Sequence, residues 1–404
     1  RYNTNGSLDQ TFGANGVRTT HFSVESRANA VLTLSDGRIV AGGSAAYDNV
    51  ASASNFALAF YSSNGVLLSK SVTELSTDAD AIHTLLQQPD GKLLAGGSMR
   101  LPDEGDDFAL ARYRLNPAPA TPFDFDGDGR ADIAVYRPGS TQTAESYWYL
   151  LRSSDNSFQA VQFGRGEDII IPADFNGDGK ANIAVWRPSS GTWYTSQNQA
   201  ANYDAVIWGQ PGDIPVPGDF DADGKADYAI YRPSNTNWYI YRSSDGGFTQ
   251  QQFGVAGCLP LLGDFDGDGK SDLAYIETTD DTLSWTIRRS LDHTTDTTVF
   301  GVVTDKVVPV DYDGDGRTNI AVFRPATGKW YTSINPNINF AEQLFGQNGD
   351  LPVAADYDGD GAADLTVFRP STRNWYILKS TDGGIIGQPW GLSTDIPVEM
   401  AYVR

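Results

Sequence analysis

The chain is poor in the residues that redox and acid–base chemistry use. One cysteine, Cys258, in 404 residues excludes an intramolecular disulfide. The three histidines, His21, His83 and His293, lie in different segments with no metal-ligand spacing. There is no nucleophile elbow and no phosphate-binding loop, so the chain reads as a non-enzyme. Positive charge is scarce, with 29 Lys and Arg against 51 Asp and Glu. The resulting formal charge of −22 excludes the basic footprint that nucleic-acid binding requires. No apolar run is long enough for a membrane helix, which needs about 18 residues or more. The chain opens on RYNTNGSLD, which reads like the middle of a repeat. The missing leader is therefore not taken as a sign of a cytoplasmic location.

Glycine, proline and aromatic residues are plentiful. The 42 Gly and 20 Pro are spread along the chain, as many short strands and turns require. No window carries a 3.6-residue apolar period, so the expected class is all-β. The 19 Tyr, 19 Phe and 9 Trp supply ample material for a core.

The dominant pattern is an acidic loop written six times, beginning at Asp124, Asp174, Asp219, Asp264, Asp311 and Asp356. Each copy carries carboxylates or amides at loop positions 1, 3, 5 and 9 and a glycine at position 6. Oxygen donors at these offsets suit a hard cation that takes six to eight oxygens at flexible geometry, which favours calcium over magnesium. The candidate side-chain ligands are Asp124, Asp126, Asp128 and Asp132 in the first loop and Asp174, Asn176, Asp178 and Asn182 in the second. The third has Asp219, Asp221, Asp223 and Asp227, and the fourth Asp264, Asp266, Asp268 and Asp272. Asp311, Asp313, Asp315 and Asn319 form the fifth, and Asp356, Asp358, Asp360 and Asp364 the sixth. The position-7 carbonyls of Arg130, Lys180, Lys225, Lys270, Arg317 and Ala362 would complete the shells. These loops hold 21 of the 51 acidic side chains, so the acidity is largely local to them. Up to six calcium ions are expected, with the second loop weakest because two of its donors are amides. The competing reading, simple Asx turns, does not explain four donors kept at the same offsets in every copy.

Around each loop one template recurs over residues 116–404. In the third copy DIPVPGDF (213–220) leads into the loop, followed by KADYAIYRP (225–233), NWYIYRSSDGG (237–247) and FTQQQFG (248–254). Four short antiparallel strands per unit, closed by a Gly turn, describe a propeller blade. Arg137, Arg187, Arg232, Arg324 and Arg369 recur before Pro, and Trp148, Trp193, Trp238, Trp285, Trp330 and Trp375 recur in the third strand. Packing between blades, with guanidinium stacked on indole, accounts for them better than a ligand site does. The fourth copy departs from the template, with Ile276-Glu277-Thr278 in place of the Arg-Pro pair and Cys258 where other copies have Asp.

Residues 1–115 hold a looser repeat. RANAVLTLSDGRIVAGGSA (27–45) returns as ADAIHTLLQQPDGKLLAGGSM (79–99). Asp36-Gly37 and Asp90-Gly91 read as hairpin turns, and Gly42-Gly43 and Gly96-Gly97 as strand ends. This segment resembles the delta-60 repeat of bacterial β-propellers.

The motifs DxDGDGxxD, YRP, WY and FG, in that order in six copies, resemble the FG-GAP/VCBS repeat family, which includes the integrin α-subunit propeller. The resemblance implies a β-propeller of four-stranded blades. Two delta-60-like and six acidic units make eight blades; the alternative is seven. The chain stops at DIPVEMAYVR, an orphan first strand. Residues 395–404 are therefore expected to pair with strands near residues 1–20 and close one continuous ring. The resemblance further implies a secreted or cell-surface, calcium-stabilised binding or adhesion module with a protein or glycan partner. Alternatives are a structural subunit self-assembling through its terminal strands, and a lectin or carbohydrate-active enzyme.

Overall fold

The computed structural model describes all residues except 4, 11, 14, 23–24, 35–36, 47–53, 63–64, 66, 77, 89–91, 102–104, 114–120, 197–201, 336–338 and 403–404. Among the described residues there is no α-helix, only strands and one 3-10 turn, Val398–Tyr402. The chain divides into two compact units, Arg1–Ala118 and Pro119–Arg404. The described residues form eight antiparallel sheets, in agreement with the count of eight units; seven have four strands and one has three.

In the first unit Glu25–Thr33, Ile39–Ala46, Asn55–Tyr61 and Leu67–Thr73 form one meander. Ala81–Gln87, Leu93–Leu101 and Gly105–Tyr113 form the three-stranded sheet. Val40, Phe56, Leu58, Ile82 and Leu93 supply its buried core. The two glycine pairs do not end strands; they lie inside them, opposite bulges at Ala28/Ala30 and Ile82/Thr84. A Cβ on Gly43 would stand 1.8 Å from the Arg27 carbonyl oxygen, and one on Gly97 1.9 Å from that of Ala81. The glycines make room for the bulged backbone. Of the two expected hairpin turns, Asp36 and Asp90-Gly91 lie outside the described residues.

The second unit contains six blades. Blade 3 is representative: Ile214–Pro215, Tyr228–Arg232, Asn237–Tyr241 and Phe248–Gln252 pair in sequence order. The third-strand tryptophans, including Trp148, Trp193 and Trp238, are fully buried, and in five blades the indole N–H donates to the carbonyl of the residue before the closing glycine. The stacked pair is not guanidinium on indole. Each of the five arginines lies over the tyrosine that follows the tryptophan, 4.4 to 4.7 Å from its ring centre. Each also forks onto a buried aspartate of the first strand: Arg187 on Asp168, Arg232 on Asp213, Arg324 on Asp305 and Arg369 on Asp350.

The fifth such pair shows how the ring closes. Among the described residues blade 1 has Ile133–Arg137, Glu145–Leu151 and Phe158–Arg165 but no first strand of its own. Ile396–Pro397 fills the place, with Ile396 opposite Tyr136 and Pro397 opposite Val135. Asp395 accepts from Arg137 Nε at 2.7 Å and Nη2 at 2.8 Å. The C-terminal strand thus closes on the first acidic unit, not on residues 1–20. The reason is chemical: an Asp-Ile-Pro strand needs a Tyr-Arg-Pro strand beside it, and residues 1–20 contain none.

Blade 4 lacks this ion pair because both members changed together. Cys258 replaces the aspartate and Glu277 the arginine. The Cys258 thiol is buried, 3.0 Å from the Tyr231 hydroxyl.

Asp395 is fully buried while Arg137 keeps over a third of its side chain in water. Asp395→Ala should therefore destabilise the second unit by about 2 to 3 kcal/mol, below the cost of breaking a fully buried pair. Urea unfolding measures this, and a loss near zero would show that strand pairing alone holds the seam.

Candidate metal centre

Each acidic loop joins the first strand of a blade to the second, and the six loops are linked to one another. The position-8 N–H of each loop donates to the position-1 carbonyl of the loop before it. The bonds are Ala181 to Asp124, Ala226 to Asp174, Ser271 to Asp219, Thr318 to Asp264 and Ala363 to Asp311, at 2.6 to 2.7 Å. Ala131 donates to Asp356 at 2.6 Å and completes the circle. Six radial sheets can share backbone hydrogen bonds only where they converge, so the loops lie toward the inner edge of the ring.

Within a loop the position-1 carboxylate is the hub. Asp124 accepts from Gly127 N at 2.5 Å and Gly129 N at 2.8 Å. Asp174, Asp219, Asp264, Asp311 and Asp356 make the same pair of contacts, with Ala222 in place of glycine in the third loop. The position-6 glycines all have positive φ, from 83° to 92°, as the sharp reversal requires. Position 9 ties the far end of the loop back to position 2: Asp132 accepts from Phe125 N, and Asn319 from Tyr312 N.

Two kinds of residue escaped the sequence reading. The first is a serine in the turn after the third strand. Ser153, Ser243, Ser290 and Ser380 each donate a backbone N–H to the position-9 aspartate, at 2.7 to 2.8 Å. Their hydroxyls donate to the position-5 aspartate. These four loops are the ones with Asp at position 9. In the second and fifth loops Asn182 and Asn319 stand there, and the matching turns carry no Ser-Ser or Ser-Thr pair. The available signal was the text R/K-S-x-D, repeated as RSSD, RSSD, RSLD and KSTD at 152–155, 242–245, 289–292 and 379–382. The second kind is the position-7 side chain. Lys180 reaches back and donates to the Asp126 carbonyl at 2.8 Å. Lys225, Arg317 and Arg130 likewise lie against Gly177, Gly267 and Gly359 of the preceding loops. A cation thus crosses over an acidic loop, softening its repulsion.

The donors converge as a cation site requires. Carboxylate oxygens lie within 4.8 Å of one another for Asp124, Asp126 and Asp132; Asp219, Asp221 and Asp227; Asp264, Asp266 and Asp272; Asp311, Asp313 and Asp315; and Asp356, Asp358 and Asp360. Asp128, Asp223, Asp268 and Asp364 fall outside these sets; Asp128 is held by Arg130 and Ser153. The second loop, with Asp174 and Asp178 as its only carboxylates, forms no such set among the described residues. Buried Asp221 Oδ1 and Asp358 Oδ1 have no hydrogen-bond partner. Unpartnered acceptors in an all-oxygen donor set fit a bound cation, which would satisfy them.

Burial pushes the position-1 carboxyls of Asp264, Asp311 and Asp356 up to about 7 and that of Asp219 to about 6, with neighbouring carboxylates adding to the rise. Asp124 and Asp174 are raised for the same first reason. At position 9 burial raises Asp227 to about 7 and Asp132, Asp272 and Asp364 to about 6.

A ring of six four-stranded sheets joined through acidic loops is a β-propeller in architecture. The chain belongs to the FG-GAP-like repeat family, whose profile matches residues 124–185, 174–230, 219–275 and 311–367, together more than half of the chain. Residues 88–116 match a beta-propeller domain of unknown function, DUF5122. No curated protein matches the sequence. Solved structures with a similar fold include TolB from Acinetobacter baumannii, at 13% identity over 77% of this chain and 80% of that one, TM-score 0.46. AztD from Citrobacter koseri is similar at 13% identity over 82% and 90%, TM-score 0.30. Among the described residues no helix is long and apolar enough to cross a membrane.

The raised carboxyls set the sign of the pH response. Each binds its proton more tightly in the folded chain than in the unfolded one, where the value is about 4. Between about pH 4 and pH 7 the folded state holds more protons, so its stability falls as pH rises through that window. In EDTA the melting temperature should be higher at pH 5 than at pH 7.5, and calcium should reverse the order. Differential scanning fluorimetry at the two pH values, with and without calcium, reads both effects.

Proposed function

We propose that this protein is a secreted or cell-surface binding or adhesion module whose β-propeller is stabilised by calcium. The observation that carries the reading is the circle of hydrogen bonds through the loops. Each loop contributes its position-1 carbonyl to one neighbour and its position-8 N–H to the other, so a change in any loop reaches both adjoining blades. At neutral pH the clustered carboxylates repel one another at the ring's convergence. A divalent cation held by positions 1, 3, 5 and 9 supplies the compensating charge. The position-7 carbonyls are available to complete the shells. Calcium sites of extracellular modules have dissociation constants of roughly 10⁻⁴ to 10⁻³ M, a range that fills outside cells and empties in a cytosol. The division of labour follows: the loops hold the blades in register, and recognition falls to surfaces away from them.

Self-assembly through exchanged terminal strands has less support, because the C-terminal strand is already paired with blade 1.

Calcium titration followed by thermal melting at pH 7.5 tests the reading. Saturation in the millimolar range should raise the melting temperature by ten degrees or more, and magnesium at equal concentration should do much less. A melting temperature indifferent to both EDTA and calcium would refute it. Terbium luminescence should further show the second loop filling last, and Asn182→Asp with Asn176→Asp should move it level with the others.

A further inference from the structure

The six blades serve as controls for one another, and they isolate a feature of the rim that the fold does not need. Six residues before each closing glycine, the outer strand carries Phe158, Tyr203, Phe248, Thr295, Phe340 or Ile385. Blades 4 and 6 manage without an aromatic ring at this place, so ring geometry does not require one. Yet the four rings are 61%, 56%, 63% and 60% exposed, leaving most of each face in water. Three of them, on consecutive blades, reach an aromatic ring of the preceding blade. Phe158 meets Trp390 edge-on at 5.7 Å, Tyr203 meets Phe163 edge-on at 6.1 Å, and Phe248 leans on Trp208 at 6.0 Å. Phe158 also stacks parallel on Tyr149, at 6.2 Å and 11°. Phe340 packs on Tyr331.

The surroundings of Phe158 and Phe248 are uncharged and polar, whereas Tyr203 has Asp204 next to it and Ala205 and Ile207 on its own face. Side chains two apart on a strand share a face, so Phe158 is aligned with Gln162, and Phe248 with Gln250 and Gln252. Those glutamines are exposed. The segments Phe158–Gln162 and Phe248–Gln252 contain no ionisable residue, in a chain of formal charge −22. They are also sheet edges, the positions that proteins ordinarily guard with charge or proline. A neutral edge that offers an aromatic face and amide groups suits a neutral ligand with apolar C–H faces and hydroxyl rims. Pyranose rings have that chemistry: C–H faces lie on the aromatic ring, and hydroxyls exchange hydrogen bonds with amides. An aromatic ring repeated on three adjacent blades suits a polymer with a repeating unit better than a single compact partner.

We infer that the exposed rim around Phe158, Tyr203 and Phe248 binds a neutral polysaccharide. This rests on the binding-module reading above and gives it a ligand class; it does not require that the calcium loops touch the sugar.

Native-gel affinity electrophoresis of the full chain in calcium, through gels containing dextran, mannan or a soluble β-glucan, tests it. At least one polysaccharide should retard the wild type, and Trp208 should report binding as a change in fluorescence. The triple variant Phe158→Ala, Tyr203→Ala, Phe248→Ala should lose retardation at least tenfold. Thr295→Ala, on blade 4, should leave it unchanged. Calcium-dependent melting measured on the same samples checks that the triple variant is folded and reads the calcium claim separately. Absence of retardation by all three polysaccharides overturns the inference, as does a folded triple variant that binds like wild type. Concentration-dependent dimerisation abolished by the triple variant would also overturn it, because the edges would then be covered by a second copy.

Discussion

The constraint on which the second unit depends is the convergence of six acidic loops at one end of six radial sheets. Backbone hydrogen bonds run loop to loop around the whole circle, from Ala131–Asp356 through Ala363–Asp311. They bring carboxylates together where burial makes their charge costly. The same aspartates whose carbonyls link the blades have their carboxyls raised by burial. Structural continuity and electrostatic strain therefore occupy the same residues. The proposed cation would reconcile them, and the backbone circle itself makes these loops part of the ring's frame.

Other features answer the same problem. Position-7 cations from the next blade cross over the loops, as Lys180 does over Asp126. Serine hydroxyls and backbone N–H groups engage positions 5 and 9 in four loops. At the opposite end of the short first strand, five buried aspartates fork with arginines that lie over tyrosine. Where the fourth blade gives up the aspartate it also gives up the arginine. An arginine left without its carboxylate at a part-buried position would have been costly.

Much of this was legible in the residues. The 45-to-50-residue period, the four-strand template and the donors at positions 1, 3, 5 and 9 follow from local spacing, and local spacing survives in any fold. The serine turn was harder to read, because Ser153 lies 21 residues from Asp132 and its role appears only when the hairpin folds back. The Gly43 and Gly97 bulges were misread as strand ends because a glycine's neighbours across a sheet are invisible in one dimension.

The sequence by itself determined the repeat, the class of fold and the spacing of the acidic oxygen donors, since each is encoded within one unit of about 45 residues. Tertiary structure decided what links one unit to another. It assigned the orphan C-terminal strand to blade 1, with Asp395 meeting Arg137 across 258 residues. It joined the six loops into a circle and exposed three aromatic rings on the rim, two of them beside neutral amides. These depend on distances between residues far apart in the chain, which only closure of the ring fixes.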